Sequence, residues 1–222
     1  MITVGVLGSL QPREGAHVRL VPMALSHVDA LAAAAMADRS TFGLAPIPRD
    51  REATLRYVER ALADQEANRC VPFVAEVGGA IVGSYRLMSL EWWTWPEGPI
   101  HVADEPRVVG RDPPDVAEIG HVWLSTAAQG KAVNAAALIL LMQQAFDVWR
   151  VHRLIWKTDA RNERSRNVMV RLGAGLEGIM RSHSPAADGG IRDVALYSIA
   201  PSEWPEVRRQ LEAVVSGPSK GS

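Results

Sequence analysis

The sequence has little of the features that mark several specialised classes of protein. It has one cysteine in 222 residues, so no disulfide can form within the chain, and 24 basic against 25 acidic residues leave a net charge of −1. A near-neutral chain has no bulk charge to attract nucleic acid or an anionic membrane surface. We therefore expect no nucleic-acid partner and no membrane partner.

Metal-ligand patterns are also lacking. The six histidines are scattered and Cys70 has no second cysteine to pair with, so no spacing typical of zinc sites occurs. We predict no metal requirement. Cys70 stands beside Val71 and Pro72 at a predicted strand start, which favours a buried structural position over a catalytic one.

Export and membrane signals are weak. Residues 1–10 are apolar but lack the basic segment and the long apolar run of a secretory signal. The apolar stretch around residues 135–148 has the spacing of a core helix. We expect a cytoplasmic protein. A hydrophobic fraction of 47% over 222 residues is enough for one domain with a sizeable core.

The first half of the chain alternates short strands with two helices. The pattern predicts a strand over 17–21, a helix that Ser26 can cap, and a helix capped by Asp50. Two further strands, 71–77 and 81–90, are joined at Gly78-Gly79, which is a hairpin signal. A Trp/Pro-rich segment, 91–115, is predicted to be an inserted loop.

In the second half strands and helices are linked in turn, which favours an α/β fold with one twisted mixed sheet and helices on both faces. We predict a single domain over 1–215 and a disordered tail over 216–222. The predicted elements are strand 118–124, a helix through Arg150, strand 153–158, a helix from Asn162, strands 176–182 and 191–199, and a helix from Ser202.

A sequence suited to phosphate binding follows the 118–124 strand. A helix N-terminus leaves unpaired N–H groups and a partial positive charge, which attract phosphate oxygens. Gly130 allows close backbone approach, Ala132 adds little bulk, and Lys131 supplies a cation. The predicted binding residues here are Gln129, Gly130, Lys131, Ala132, Val133 and Asn134.

A second motif stands at the start of the next helix, where Asn162-Glu163-Arg164-Ser165-Arg166 leads to Arg171-Leu172-Gly173-Ala174. With the first motif it resembles the GNAT acyl-CoA N-acyltransferases, and especially the RimJ/RimL-like branch. The resemblance departs at one place: Ala127 stands where the family has Arg or Gln. Because backbone N–H groups make most phosphate contacts, we expect this change to weaken binding without abolishing it.

The resemblance implies a site and a reaction. Acetyl-CoA or another acyl-CoA is the expected co-substrate, held also by the backbone near Trp123 and Leu124 and by Asn162 and Ser165. Ser165 is the expected proton donor to the leaving thiolate. Glu118 is the first candidate for the general base. His183 is the second, because histidine is a common general base in enzymes.

The acceptor is left open by the sequence. The implied reaction is direct transfer of an acetyl group to a primary amine on a protein N-terminus or a small molecule. The alternatives are another donor such as succinyl-CoA, a polyamine or antibiotic acceptor, and a CoA-binding or protein-interaction module that has lost its catalytic activity. Trp92, Trp93 and Trp95 could line an acceptor pocket or plug the core. The oligomeric state is unknown, and a dimer is possible.

Overall fold

The computed structural model describes Gly8, Leu10 and residues 18–94, 113–130 and 132–217. In these residues the strands are β1 Val18–Pro22, β2 Cys70–Val77, β3 Ala80–Glu91, β4 Val116–Leu124, β5 Arg153–Asp159, β6 Gly175–Pro185 and β7 Ile191–Ile199. The helices are α1 Val28–Met36, α2 Arg51–Glu66, α3 Val133–Met142, α4 Glu163–Arg171 and α5 Trp204–Ser216.

The described strands form one seven-stranded sheet in the order β1-β2-β3-β4-β5-β7-β6. The pairs β1–β2, β2–β3, β3–β4, β5–β7 and β6–β7 are antiparallel. The pair β4–β5 is parallel and is connected through α3, as a parallel crossover requires. The predicted mixed sheet is therefore confirmed.

Helices cover both faces of the sheet. On one face, α3 and α5 pack on a core that includes Phe73, Tyr85 and Leu87. On the other face, α1 and α2 cover a second cluster that includes Val74 and Trp123. Alternate residues of a strand point to opposite faces, so neighbours such as Phe73 and Val74 belong to different clusters.

Two helix predictions need correction. Ser26 does not cap α1: residues Leu25–His27 form a short 3-10 turn, the His27 ring accepts a hydrogen bond from the Ala24 N–H (3.1 Å), and α1 begins at Val28 without a side-chain cap. The helix predicted to run through Arg150 is α-helical only to Met142. It continues as a π-helical turn over Gln143–Val148.

Other local predictions are confirmed. Asp50 caps α2 by accepting a hydrogen bond from the Ala53 N–H at 2.7 Å. Gly78 and Gly79 both have positive φ, 57° and 83°, as a tight hairpin turn between twisted strands requires. Most of the insert predicted over 91–115 and most of the tail predicted over 216–222 lie outside the described residues, at 95–112 and 218–222. At the described ends the bounds were wrong by one residue, since Glu91 belongs to β3 and Ser216 to α5.

Candidate active site

The parallel pair β4–β5 opens into a gap. Its register runs only through Val116↔Arg153, Ala117↔Leu154 and Glu118↔Ile155. Beyond those pairs β4 continues to Leu124 and β5 to Asp159 without pairing to each other. The far end of β4 leads into the phosphate-binding sequence, and the far end of β5 leads into α4. The two motifs therefore flank one opening.

An irregularity in β4 lies beside this gap. The register with β3 shifts between Arg86↔Gly120 and Ser84↔Trp123, and His121 in the shifted segment has φ +50°. The strands stay close here because Gly83 has no side chain: a Cβ there would lie 2.1 Å from the Trp123 carbonyl oxygen. Such a bulge re-aims the backbone groups of a strand next to a site.

The start of α3 has no internal partner for its first N–H groups. Its N-cap, Ala132, has no side-chain hydrogen bond. The backbone N–H groups of Gly130, Ala132, Val133 and Asn134 donate no hydrogen bond within the described residues. Gly130 has φ +70°, which favours glycine. An uncapped helix start with free donors is a binding surface for an anion.

Side chains around this helix start hold it in place. The Tyr85 hydroxyl donates to Asn134 Oδ1 at 2.9 Å, and burial raises the pKa of Tyr85, which keeps it a neutral donor. Gln129 Nε2 donates to the Leu124 carbonyl (2.8 Å) and to Thr41 Oγ1 (2.9 Å). Asn134 and Gln129 are thus bound by the protein itself through these atoms. Lys131 lies outside the described residues.

Trp123, Leu124 and Val133 are buried. Trp123 packs edge-to-face on Phe42 with ring centroids 6.1 Å apart, and Leu124 and Val133 belong to the core under α3. Their side chains therefore serve packing. Trp123 and Leu124 also pair with β3, and the Val133 N–H is the backbone donor of the three that makes no hydrogen bond within the described residues.

The start of α4 is capped. Asn162 Oδ1 accepts a hydrogen bond from the Ser165 N–H at 3.1 Å, while the hydroxyl of the half-buried Ser165 has no partner among the described residues. Arg166 fixes this turn by donating to the Ala160 carbonyl (3.1 Å) and the Tyr197 hydroxyl (3.2 Å). The Ser165 hydroxyl is a free donor on a positioned helix turn.

Glu118 is buried at the point where β4 and β5 separate. Its Oε2 accepts hydrogen bonds from Lys157 Nζ (2.9 Å) and Ser89 Oγ (2.8 Å). The carboxylate is thus a member of an ion pair between the two strands. The sequence could not give this pairing, because 39 positions separate the two residues.

His183 lies apart from Glu118. It is exposed on β6, which is separated from β4 by β5 and β7. Three strand spacings amount to roughly 14 Å. The structure therefore brings Asn162, Ser165, Glu118 and the start of α3 to the β4–β5 gap and leaves His183 outside it.

A groove of about 750 Å³ borders the same end of the sheet, between α1 and residues 125–127, with Asp38 in its lining. It does not include Ser165, Glu118 or His183. No group of three or more metal-ligating side chains occurs in the described part of the chain. Among the helices described, none has the length and apolar character needed to cross a bilayer.

Comparison with known protein families decides the affiliation. The model of an acetyltransferase (GNAT) domain matches residues 17–175. The chain belongs to the GNAT family. This match covers β1 to the start of β6 and so contains both motifs, the gap between them and the buried Glu118.

Solved structures agree with this GNAT fold. A GCN5-related N-acetyltransferase from Brucella melitensis has a TM-score of 0.73 and 25% identity over 96% of this chain and 90% of its own. RimJ of Mycobacterium smegmatis, in complex with CoA-disulfide, has a TM-score of 0.67 and 22% identity, and the match covers 88% of both chains. RimL, a ribosomal L7/L12 alpha-N-protein acetyltransferase, has a TM-score of 0.66 and 20% identity, and the match covers 86% of this chain and 99% of RimL.

The GNAT resemblance of the sequence is therefore confirmed, and this protein is an acyl-CoA N-acetyltransferase by family. RimJ and RimL share its fold. No curated protein matches the sequence.

Proposed function

We propose that the β4–β5 gap binds acetyl-CoA and that the protein transfers the acetyl group directly to a primary amine. The observation that carries the proposal is the set of free N–H groups on Gly130, Ala132, Val133 and Asn134 at the mouth of the gap. These donors and the helix dipole suit the pyrophosphate of the co-substrate. The pantetheine arm of the co-substrate would lie between β4 and β5 and bond to the backbone groups that do not pair with each other there.

Small residues around the helix start fit such a ligand. Ala127 is exposed and Ala132 half-buried, so neither fills the space in front of the free N–H groups. Ala127 supplies no side-chain donor where the family has Arg or Gln. Binding therefore rests on the backbone donors, with Lys131 as a further cation.

Ser165 is the proposed proton donor. When the amine nitrogen attacks the thioester carbon, the carbon–sulfur bond breaks and the thiolate takes the proton of the Ser165 hydroxyl. That hydroxyl is uncommitted because Asn162 caps the helix through the Ser165 N–H. The amine loses one proton to solvent or to a base, and the Ser165 oxygen takes one proton back from solvent, so the transfer balances without a covalent enzyme intermediate.

Glu118 is the proposed base, acting through water, since its carboxylate lies where the strands separate. An α-amino group of pKa about 7.8 is roughly 14% free base at pH 7, which costs about 1 kcal/mol, whereas a lysine amine of pKa about 10.4 costs over about 4 kcal/mol. A carboxylate already paired with Lys157 suits the easier of these tasks. His183, the second candidate, would need the β6–β7 hairpin to approach the gap.

The test is calorimetric titration with acetyl-CoA, succinyl-CoA and free CoA. Gly130→Trp should abolish micromolar binding by filling the space before the free N–H groups. Gly189→Trp is the matched control, because Gly189 also has positive φ (89°) and no neighbour within 4 Å but lies in the β6–β7 turn. Failure of the wild type to bind any of the three would overturn the proposal, as would equal binding by both variants. If succinyl-CoA binds more strongly than acetyl-CoA, succinyl-CoA takes the place of acetyl-CoA as the proposed acyl donor.

A further inference from the structure

A buried cation that has no salt bridge within the described residues lies under α2. Arg86, on β3, is only 3% exposed, yet it forms no salt bridge within the described residues. One hydrogen bond is made, from Nη2 to the Tyr57 carbonyl at 3.3 Å, and the buried Nε has no partner. The Tyr57 ring covers the guanidinium, whose carbon lies 4.5 Å from the ring centroid.

The carboxylates in this part of the fold are committed to other cations. Asp64 is bound by Arg69 at 2.6 Å and Glu118 by Lys157 at 2.9 Å. The Tyr57 ring covers one face of the Arg86 guanidinium, but the Nε–H on its edge has no hydrogen-bond partner. Buried charges are usually paired and fully hydrogen-bonded, so the edge of Arg86 is short of an anionic partner.

The position of Arg86 relates it to the gap. It pairs with Gly120, the last regular residue of β4 before His121, and so lies one strand spacing, about 4.8 Å, from the bulge. Its side chain is on the α2 face, because its neighbours Tyr85 and Leu87 point into the core under α3. A ligand reaching Arg86 therefore comes from the face opposite α3.

His121 marks the solvent side of this cluster. It is exposed, and its ring lies 5.7 Å from that of Tyr57. The protein on one side of the imidazole disfavours its charged form, and the charge of Arg86 adds to this, so the pKa of His121 is lowered. At neutral pH the imidazole is uncharged, which leaves Arg86 as the cation of the cluster formed by Tyr57, Arg86 and His121.

We propose that Arg86 binds a carboxylate of the acceptor, so that the acceptor is a small molecule carrying a carboxylate near its amine. The planar carboxylate matches the edge of a guanidinium and can accept two hydrogen bonds from it. The acceptor enters this cluster on its solvent side, past the exposed His121. The amine then faces the gap while the carboxylate lies on the α2 face. This assignment of the acceptor rests on the proposed transfer reaction, but carboxylate binding at Arg86 does not.

The binding test uses nuclear magnetic resonance of the wild-type protein. The Arg86 Nε–H signal, assigned by its loss in Arg86→Lys, is followed during titration with propionate and, as the uncharged control, propionamide. We expect a saturable shift of this signal, and of the His121 ring signals, with propionate only. No shift, or the same shift with propionamide, overturns the proposal. The titration itself uses the wild type, and the assignment requires that the other arginine Nε–H signals keep their positions in Arg86→Lys, which shows that the variant is folded.

The acceptor test compares phenylalanine with phenylalaninamide, with CoA release as the readout, in the wild type and in Arg86→Gln. The ratio of the two kcat/KM values should fall by about 10- to 100-fold in the variant, as expected for loss of a charged hydrogen bond. An unchanged ratio overturns the acceptor assignment, as does turnover of neither probe when propionate binds at Arg86.

Acetyl-CoA binding to both proteins separates the two proposals. Equal binding with a changed ratio supports the Arg86 site. Absent binding overturns the transfer reaction and leaves the propionate result standing on its own.

Discussion

The starts of α3 and α4 flank the same gap but are built in opposite ways. At α3 the N-cap is Ala132, no side chain satisfies the first turn, and four backbone N–H groups are free within the described residues. At α4 the Asn162 side chain satisfies the turn and a hydroxyl, that of Ser165, is left free. One helix presents backbone donors to a ligand and the other presents a single side chain.

This difference separates binding from chemistry. Backbone donors in a row suit the several oxygens of a phosphate group, whereas one hydroxyl suits one proton transfer. The two termini are linked directly, since Arg164 Nη2 donates to Gln129 Oε1 at 2.6 Å across the gap. We therefore expect changes at α3 to alter the Kd for acetyl-CoA and changes at α4 to alter kcat.

Ser165→Ala should have the largest effect. Loss of the proton donor lowers kcat by about 10³-fold, within the range of general-acid contributions, while the Kd for acetyl-CoA stays within about 3-fold because the cap uses the Ser165 N–H. Steady-state kinetics and calorimetry measure the two. Ser202→Ala, at an exposed serine before α5, is the control. A weakened Kd with unchanged kcat would reverse the roles of the two helix starts.

Glu118→Gln should come next, with kcat/KM reduced on the order of 100-fold if the carboxylate is the base. Lys157→Gln breaks the same ion pair from the other side and should lower kcat/KM by less than about 5-fold. Equal losses in the two variants would mean that the ion pair serves structure only. The comparison is made with an acceptor in excess of acetyl-CoA.

Ala132→Asp gives α3 the cap it lacks. A carboxylate there competes for the free N–H groups and repels the pyrophosphate, so we expect the Kd for acetyl-CoA to rise by about 30-fold. Stability should be unchanged or higher by up to about 1 kcal/mol, because an N-cap is gained. Ala132→Asn adds a cap without the charge and should weaken binding less. Tighter binding in the aspartate variant would exclude a phosphate at this place.

Asp50→Ala should have the smallest effect on function. In the wild type the Asp50 carboxylate caps α2 by accepting a hydrogen bond from the Ala53 N–H. Loss of this cap should lower the free energy of unfolding by about 1 kcal/mol. The Kd for acetyl-CoA and kcat should stay unchanged. Urea unfolding and calorimetry test this. A tenfold change in the Kd would show that α2 and the gap are coupled.

Local patterns predicted the parts of the site that depend on neighbours in sequence. Gly130 before an apolar helix and Asn162 before another predicted both helix starts, because capping and φ preferences act over a few residues. The prediction that Ser26 caps α1 was wrong. The chain makes a 3-10 turn before α1, and the His27 ring accepts the hydrogen bond of the Ala24 N–H.

The parts that the sequence did not predict depend on distant residues. Glu118 reads as a strand end, and only the sheet brings Lys157 to it. Arg86 reads as an ordinary strand residue, and only the packing of α2 buries it under Tyr57. The apolar run gives no local signal for the π-helical turn over Gln143–Val148.

The most direct test of the account is a titration of the isotopically labelled protein with acetyl-CoA, followed by the shifts of its backbone amide signals. The account predicts that the amides of Gly130, Ala132, Val133 and Asn134 shift most and together, while that of Ala53 at the capped start of α2 stays in place. Saturable binding without shifts at these four amides would contradict it.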